Sequence, residues 1–378
     1  MPRNTSIVCT TIFPPNFLEG FLAEIRESGC RETTTIYIIG DRKTPESVWK
    51  ATAHARRNGF RVECPTLEEQ ESFLARIAAP ADFIPYNSDN RRNVGFLMAL
   101  ESGCDVLISI DDDNFCRPGG EFLKSHDVVG SSGQNRFVRS SDGWFNICSL
   151  LQGPEGPPIF PRGFPYAAQR QARQVEFISA ENPIPIAMNA GLWLDEPDVD
   201  AIYRLCRGGK MTAFTEAGVL LGPEIWSPIN TQNTALTREA ALTYYYVRMG
   251  FPLKGLSIDR FGDILSGYLT QKCVKHMRHA VRVGSPVLDH HRTPHNLFKD
   301  LYHELAGIVL IEDFLPFLKE LRLEGTGYLD AYDSLAARIS ESAAKFTGFI
   351  WDDGGRDFLR EMSASMTTWS HIVRRIAL

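Results

Sequence analysis

DVLISIDDDNF, residues 105–115, runs from an apolar β-branched stretch straight into three acids. In an extended segment Asp111 and Asp113 project to one face and Asp112 to the other. Three adjacent carboxylates repel one another, so a fully paired, buried arrangement calls for a cation. A hard divalent ion resolves that repulsion and bridges to diphosphate oxygens. An isolated Asp-x-Asp is more often a solvated acidic turn or a helix N-cap. The place of this one, at the end of a buried strand, argues for the ion.

Working outward, SIVCTTI (6–12) reads as a buried strand and FLEGFLAEIRESG (17–29) as a helix stopping at Gly29. TTIYIIGD (34–41) is a second strand running into the charged turn Asp41-Arg42-Lys43, and 45–58 a helix. RVEC (61–64) is a short strand, EEQESFLARIA (68–78) a helix, and RRNVGFLMALESGC (91–104) the helix before the acidic strand. Such alternation predicts an α/β fold: a doubly wound, mostly parallel sheet with helices on its faces. Ligands of these sheets gather at the carboxyl ends of the strands, where helix starts offer N–H groups to phosphate. Both charged clusters fall at such ends.

Beyond residue 115 the pattern is irregular. LQGPEGPPIFPRGFPY (151–166) is loop, 184–194 and 213–221 are candidate strands, and 237–250 and 263–280 candidate helices. From 297 onward the chain reads as helical. One catalytic domain over 1–300, with a helical C-terminal region over 301–378 packed on it, is the economical division.

With 43% hydrophobic and 23% charged residues in 378, a sizeable core is expected. A formal charge of −6 argues against general nucleic-acid binding, though not against a local basic pocket for one small phosphorylated ligand. The eight cysteines form no C-x-x-C pair and suit reduced thiols in a cytoplasmic protein. The opening residues lack the apolar region of a signal peptide, and no apolar run reaches 18 residues, so a soluble protein with no membrane span is expected.

The segments ISIDDDNF (108–115), FPRGFPY (160–166), NAGLWLDEPDVDA (189–201), DRFGDILSGYLTQKCVKH (259–276) and SPVLDHH…HNLF (285–298) resemble, in that order, the reversibly glycosylated polypeptides, also called UDP-arabinopyranose mutases. The resemblance implies a glycosyltransferase-A-type fold. It puts Asp111 and Asp113 in the metal–diphosphate role with Mn2+ or Mg2+, and Asp112 beside them at the nucleotide-sugar. Asp41 and Lys43 are implied near the uracil and ribose, and Arg91, Arg92 and Asn93 near the nucleotide. Turn-capping for Asp41 and a solvated helix start for the arginines are the bland alternatives. Arg162 matches the position at which the family becomes glycosylated. The family's second arginine falls at Gln169 here, with Arg170 one step on. Asp263 matches the second of an acidic pair whose first member is Gly262 here, and Arg260 supports it at the nucleotide-sugar. Of the six histidines between 276 and 303 (His276, His279, His290, His291, His295 and His303), His290 best matches the family's one, and His291 is its rival as a metal ligand.

The leading expectation is a metal-dependent glycosyltransferase acting on a nucleotide-sugar, of the UDP kind, with an unknown small-molecule or glycan acceptor. A UDP-sugar mutase or self-glycosylating protein using Arg162 is the alternative. A non-catalytic nucleotide-sugar-binding subunit is the second. A nucleotidyltransferase lacks an early glycine-rich phosphate loop to support it. Homo-oligomerisation is left open.

Overall fold

The computed structural model describes residues 3–119, 121–132, 136–179, 183–214, 218–293 and 296–377. Its first third is the alternation expected: β1 (Thr5–Thr11), α1 (Leu18–Glu27), β2 (Thr34–Gly40), α2 (Ser47–Arg57), β3 (Arg61–Glu63), α3 (Leu67–Arg76), α4 (Arg92–Glu101) and β4 (Val106–Asp111). Strands in the order β3-β2-β1-β4 are all parallel. Alternation along β1 explains why both faces are covered. Val8 packs into the apolar layer beneath α4, while Ile7 and Cys9 enter the opposite layer with α1 and α2. Each such fully buried aliphatic side chain stabilises the fold by roughly 1.5–3 kcal/mol relative to exposure. Helix α4 lies so close to β1 that a Cβ on Gly95 would stand 2.5 Å from Val8 Cγ1.

The remaining strands of the main sheet are β5 (Asn114–Phe115), β6 (Arg136–Ser140), β7 (Val175–Ser179), β8 (Ile186–Asp195), β9 (Val219–Leu221), β10 (Asn233–Thr237) and β11 (Ala280–His290). They extend it in the order β4-β10-β8-β11-β9-β6-β7, with β5 paired to β11, and mix parallel with antiparallel neighbours. This order brings the carboxyl ends of β1, β4, β8 and β11 to the amino end of the antiparallel β10.

Helix α5 (Gly262–His276) is buried along most of its length, and α6 (Leu297–Glu320), α7 (Tyr328–Ser342) and α8 (Arg356–Ala377) follow it. The apolar residues Phe358, Leu359, Met362, Met366, Trp369 and Val373 recur at helical spacing on α8 and join the same core layer as α4. The α/β class and the helical C-terminal region are as expected. No described helix is long and apolar enough to cross a membrane.

Two segments differ from expectation. The stretch 237–250 is helical only over Arg238–Ala241. Beyond it Asn90 Nδ2 donates to the Tyr246 carbonyl (2.6 Å), Asn93 pairs with Tyr246 through both N–H and C=O, and Ser266 Oγ donates to the Tyr245 carbonyl. Those tertiary bonds occupy backbone groups that a helix needs. Of 213–221, Ala213–Phe214 and Val219–Leu221 are strands, and 215–217 lie outside the described residues, as does His295.

Candidate active site

Strand β4 ends at Asp111, so the strict alternation that put Asp111 and Asp113 on one face stops there. The three carboxylates instead diverge to three partners. Asp111 Oδ1 accepts from Arg92 at 2.6 Å. Asp112 Oδ2 accepts from the Thr11 hydroxyl at 2.5 Å. Asp113 Oδ2 lies 3.2 Å from His290 Nε2, and its Oδ1 accepts from Asn114 at 3.0 Å. Part of the repulsion is therefore answered by a guanidinium rather than by an ion, a correction to the expectation from sequence.

Arg92 is 4% exposed and spans the floor of the cleft. It also donates to Ser109, Thr10 and both the carbonyl and the hydroxyl of Thr231. Burial works to lower its pKa, yet Asp111 holds it above its ordinary value. The Asp111 side chain is 36% open. Burial pushes its carboxyl up to about 6, with Asp113 adding to the rise and Arg92 opposing it. Burial raises Asp112 too, against the pull of Thr11.

His290 is buried, with Nδ1 2.6 Å from the Glu196 carbonyl. A carbonyl only accepts, so Nδ1 carries a proton and the neutral ring would aim its Nε2 lone pair at Asp113. Burial acts to lower the His290 pKa, but the bond to Asp113 and that residue's charge raise it overall. His291 is corrected out of the metal set. Its ring is exposed and lies against Phe115, centroids 4.8 Å apart, while only its backbone N–H meets the Asp113 carbonyl.

Beside His290, Arg162 is clamped between two acids. Its Nε and Nη2 donate to Asp198 at 3.1 and 3.4 Å, and both terminal nitrogens donate to Asp263. A further bond runs to the Arg260 carbonyl. Burial would depress this guanidinium; Asp198 and Asp263 together hold it well above its usual value. Asp198, which also accepts from Asn230 at 2.6 Å, is brought down to about 2 because Arg162 outweighs burial. Arg260 turns to Asp300 at 3.0 Å and Glu304 at 3.4 Å, away from Asp263. It supports Asp263 only through its backbone carbonyl, by way of Arg162.

The other expected residues divide. Asp41 is buried at the end of β2, accepting from the N–H groups of Arg42 and Ser88. Lys43 is exposed at the rim. Arg91 and Asn93 are corrected: both are closed to solvent and support the scaffold. Arg91 bonds Gln70 and the Ile84 carbonyl, and Asn93 holds Tyr246. Arg170 is exposed after the helical turn Tyr166–Gln169, and among the described residues no bond ties it to the acidic cleft. Trp144 and Trp193 are buried in the core.

Asp198 and Thr231 were not singled out in the sequence. Asp198 lies inside the apolar-flanked GLWLDEPDVDA run, where an acid between buried Leu194 and Val199 was the available signal.

Among the described residues no three His, Cys, Asp or Glu groups converge as a finished metal shell. Asp113 and His290 nonetheless fit as a pair. Bonds of about 2.1 Å at right angles put adjacent ligand atoms roughly 3 Å apart, close to their observed spacing.

These elements define an α/β protein of the doubly wound class, with an acid-and-arginine cleft at the carboxyl edge of its parallel half. The chain belongs to the reversibly glycosylated polypeptide family, whose model matches residues 8–373. It is 28% identical over 255 residues to probable UDP-arabinopyranose mutase 4 of Arabidopsis thaliana, covering 66% of this chain and 64% of that protein, just under two thirds of its length. With UDP-arabinopyranose mutase 1 of the same plant it shares 25% over 303 residues, 78% of this chain and 76% of that one. The structure is also similar to glucosyl-3-phosphoglycerate synthase from Mycobacterium tuberculosis in complex with Mn2+, UDP and phosphoglyceric acid, with a TM-score of 0.40 and 13% identity over 85% and 81% of the two chains.

Proposed function

We propose that this chain is a divalent-metal-dependent enzyme that binds a UDP-sugar and transfers the sugar to an acceptor hydroxyl. The observation that carries the reading is the His290–Asp113 pair, its imidazole tautomer set by the Glu196 carbonyl. Asp113 and His290 would hold Mn2+ or Mg2+, which would supply positive charge opposite the departing UDP. The chain's own groups do the rest. Arg92 fixes the Asp111 carboxylate and opposes the rise that burial gives its pKa. Asp41 is placed at the nucleoside end, at the edge of β2. Arg162 holds Asp198 and Asp263 apart and oriented, so that Asp263 can bind sugar hydroxyls or receive the acceptor's proton. In the transfer the bond from anomeric carbon to β-phosphate oxygen breaks, a bond to the acceptor oxygen forms, and the hydroxyl proton leaves to Asp263 or water.

A mutase is the second reading, favoured by the names of the relatives. Against self-glycosylation stands the state of Arg162: a guanidinium whose nitrogens donate to two carboxylates is protonated and lacks a free nucleophilic lone pair. Incubation with radiolabelled UDP-sugars tests both. Label that enters the protein and disappears in Arg162→Ala supports the mutase. Label that passes to an added acceptor, with the protein unlabelled, supports transfer.

A further inference from the structure

Next to the cleft lies a solvent-open recess of ≈ 440 Å³, walled by residues that follow β8 and β11, among them Glu196, Tyr203, Arg204, Arg207 and Arg292. That volume suits a small metabolite. Three guanidiniums face one carboxylate in this wall, an excess of positive charge in a chain whose overall charge is −6. Glu196 is already taken by Arg204 at 3.0 Å. Arg292 shares Asp300 with Arg260, which also pairs with Glu304. Burial above all, with the nearby Arg204 adding to it and Asp198 opposing it, holds Arg292 below its usual pKa. Arg204 Nε and the Tyr203 hydroxyl are buried with no hydrogen-bond partner, and such groups are costly to leave unmet. Arg207 donates to the Pro157 carbonyl through Nη1.

We infer that this recess holds the anionic group, phosphate or carboxylate, of the molecule that accepts the sugar. The inference rests on the proposed function and names its second substrate. Position decides for the acceptor over the donor. On the proposed function the nucleoside lies by Asp41 at the end of β2, and β8 lies four strand steps away in the order β2-β1-β4-β10-β8, roughly 19 Å at the usual spacing. The recess also shares Glu196 with the site: its backbone carbonyl fixes His290 while its side chain forms the recess wall. A donor reaching from Asp41 to the Asp113–His290 pair thus leaves its sugar facing the arginines. A planar guanidinium binds phosphate or carboxylate in bidentate fashion, and several together bind it tightly.

The test titrates inorganic phosphate into the full-length protein saturated with UDP and Mg2+, by calorimetry, in wild type, Arg207→Ala, Arg207→Glu and Arg292→Gln. Phosphate binding that weakens at least fivefold in Arg207→Ala, and is lost in Arg207→Glu, is the expected result. Equal phosphate affinity in wild type and the Arg207 variants, or no phosphate binding while UDP–Mg2+ binds, overturns the subsite and leaves the proposed function standing. Absence of UDP–Mg2+ binding in the wild type overturns the function itself. A second arm separates the sources of the anion: if UDP-glucuronic acid binds more tightly than UDP-glucose, and Arg207→Ala abolishes the difference, the arginines read the donor and the acceptor assignment fails.

Discussion

His290 Nε2 stands 3.2 Å from Asp113 Oδ2 while Nδ1 is bound to the Glu196 carbonyl. A neutral imidazole so fixed turns a lone pair towards a carboxylate, and only a proton or a metal ion between them makes that favourable. His290→Ala is expected to weaken UDP–Mn2+ binding at least tenfold, whereas His291→Ala, whose ring lies outside on Phe115, changes it less than twofold. Calorimetric titration of both variants decides the matter.

The partnership of Arg92 with Asp111 makes Asp111 an unsuitable probe of metal use. Removing it leaves a buried guanidinium without its counter-ion, and Asp111→Ala should destabilise the fold by about 2–3 kcal/mol, below the range for fully buried pairs because Asp111 is partly open. Chemical denaturation measures this. Asp113→Asn keeps its shape and has no buried arginine to strand, so its melting temperature without ligand should stay within about 2 °C of wild type.

Protonation of Asp111 gives a pH dependence with a definite sign. Its folded pKa, raised to about 6, exceeds the unfolded value of about 3.9, so its contribution to stability is complete below pH ~4 and is lost as pH rises to ~6. A cation bound beside Asp111 favours its ionised form, so affinity for UDP with a metal should fall as pH drops below ~6. A titration series from pH 5 to 7.5 showing constant affinity would contradict this.

Arg162 separates two buried carboxylates, and Arg162→Ala should cost about 3–5 kcal/mol by leaving Asp198 and Asp263 facing each other. Asp198, brought down to about 2 by that arginine, should then titrate at higher pH. Carbon NMR of labelled aspartates reads the change directly.

The parallel third of the fold was legible because β1, β2 and β4 are continuous apolar runs separated by amphipathic helices, a pattern that is local. The mixed half was not, since β10, β8 and β11 become neighbours only through long connections and pair in both senses. Tyr244, Tyr245 and Tyr246 looked helical in composition, but bonds from Asn90, Asn93 and Ser266, remote in sequence, hold their backbone in a loop. Arg91 and Asn93 looked like ligand contacts because polarity at a helix start does not reveal what another segment will cover: Gln70 and Ile84 take Arg91, and Tyr246 takes Asn93. Asp113 and His290, named from motif and resemblance, are brought within 3.2 Å of each other. That Asp111 would be taken by Arg92 was not legible, because nothing in sequence tells which of two buried arginines, Arg91 or Arg92, faces the acids.

The most direct test of the account is a melting-temperature square of apo protein, Mn2+ alone, UDP alone and both, for wild type and Asp113→Asn. Ligand at about 100 times its dissociation constant adds roughly 2.7 kcal/mol of stability. A wild-type shift with both ligands that clearly exceeds the sum of the single shifts, and vanishes in Asp113→Asn, is what the account predicts. Additive shifts in the wild type, or synergy that survives in Asp113→Asn, would contradict it.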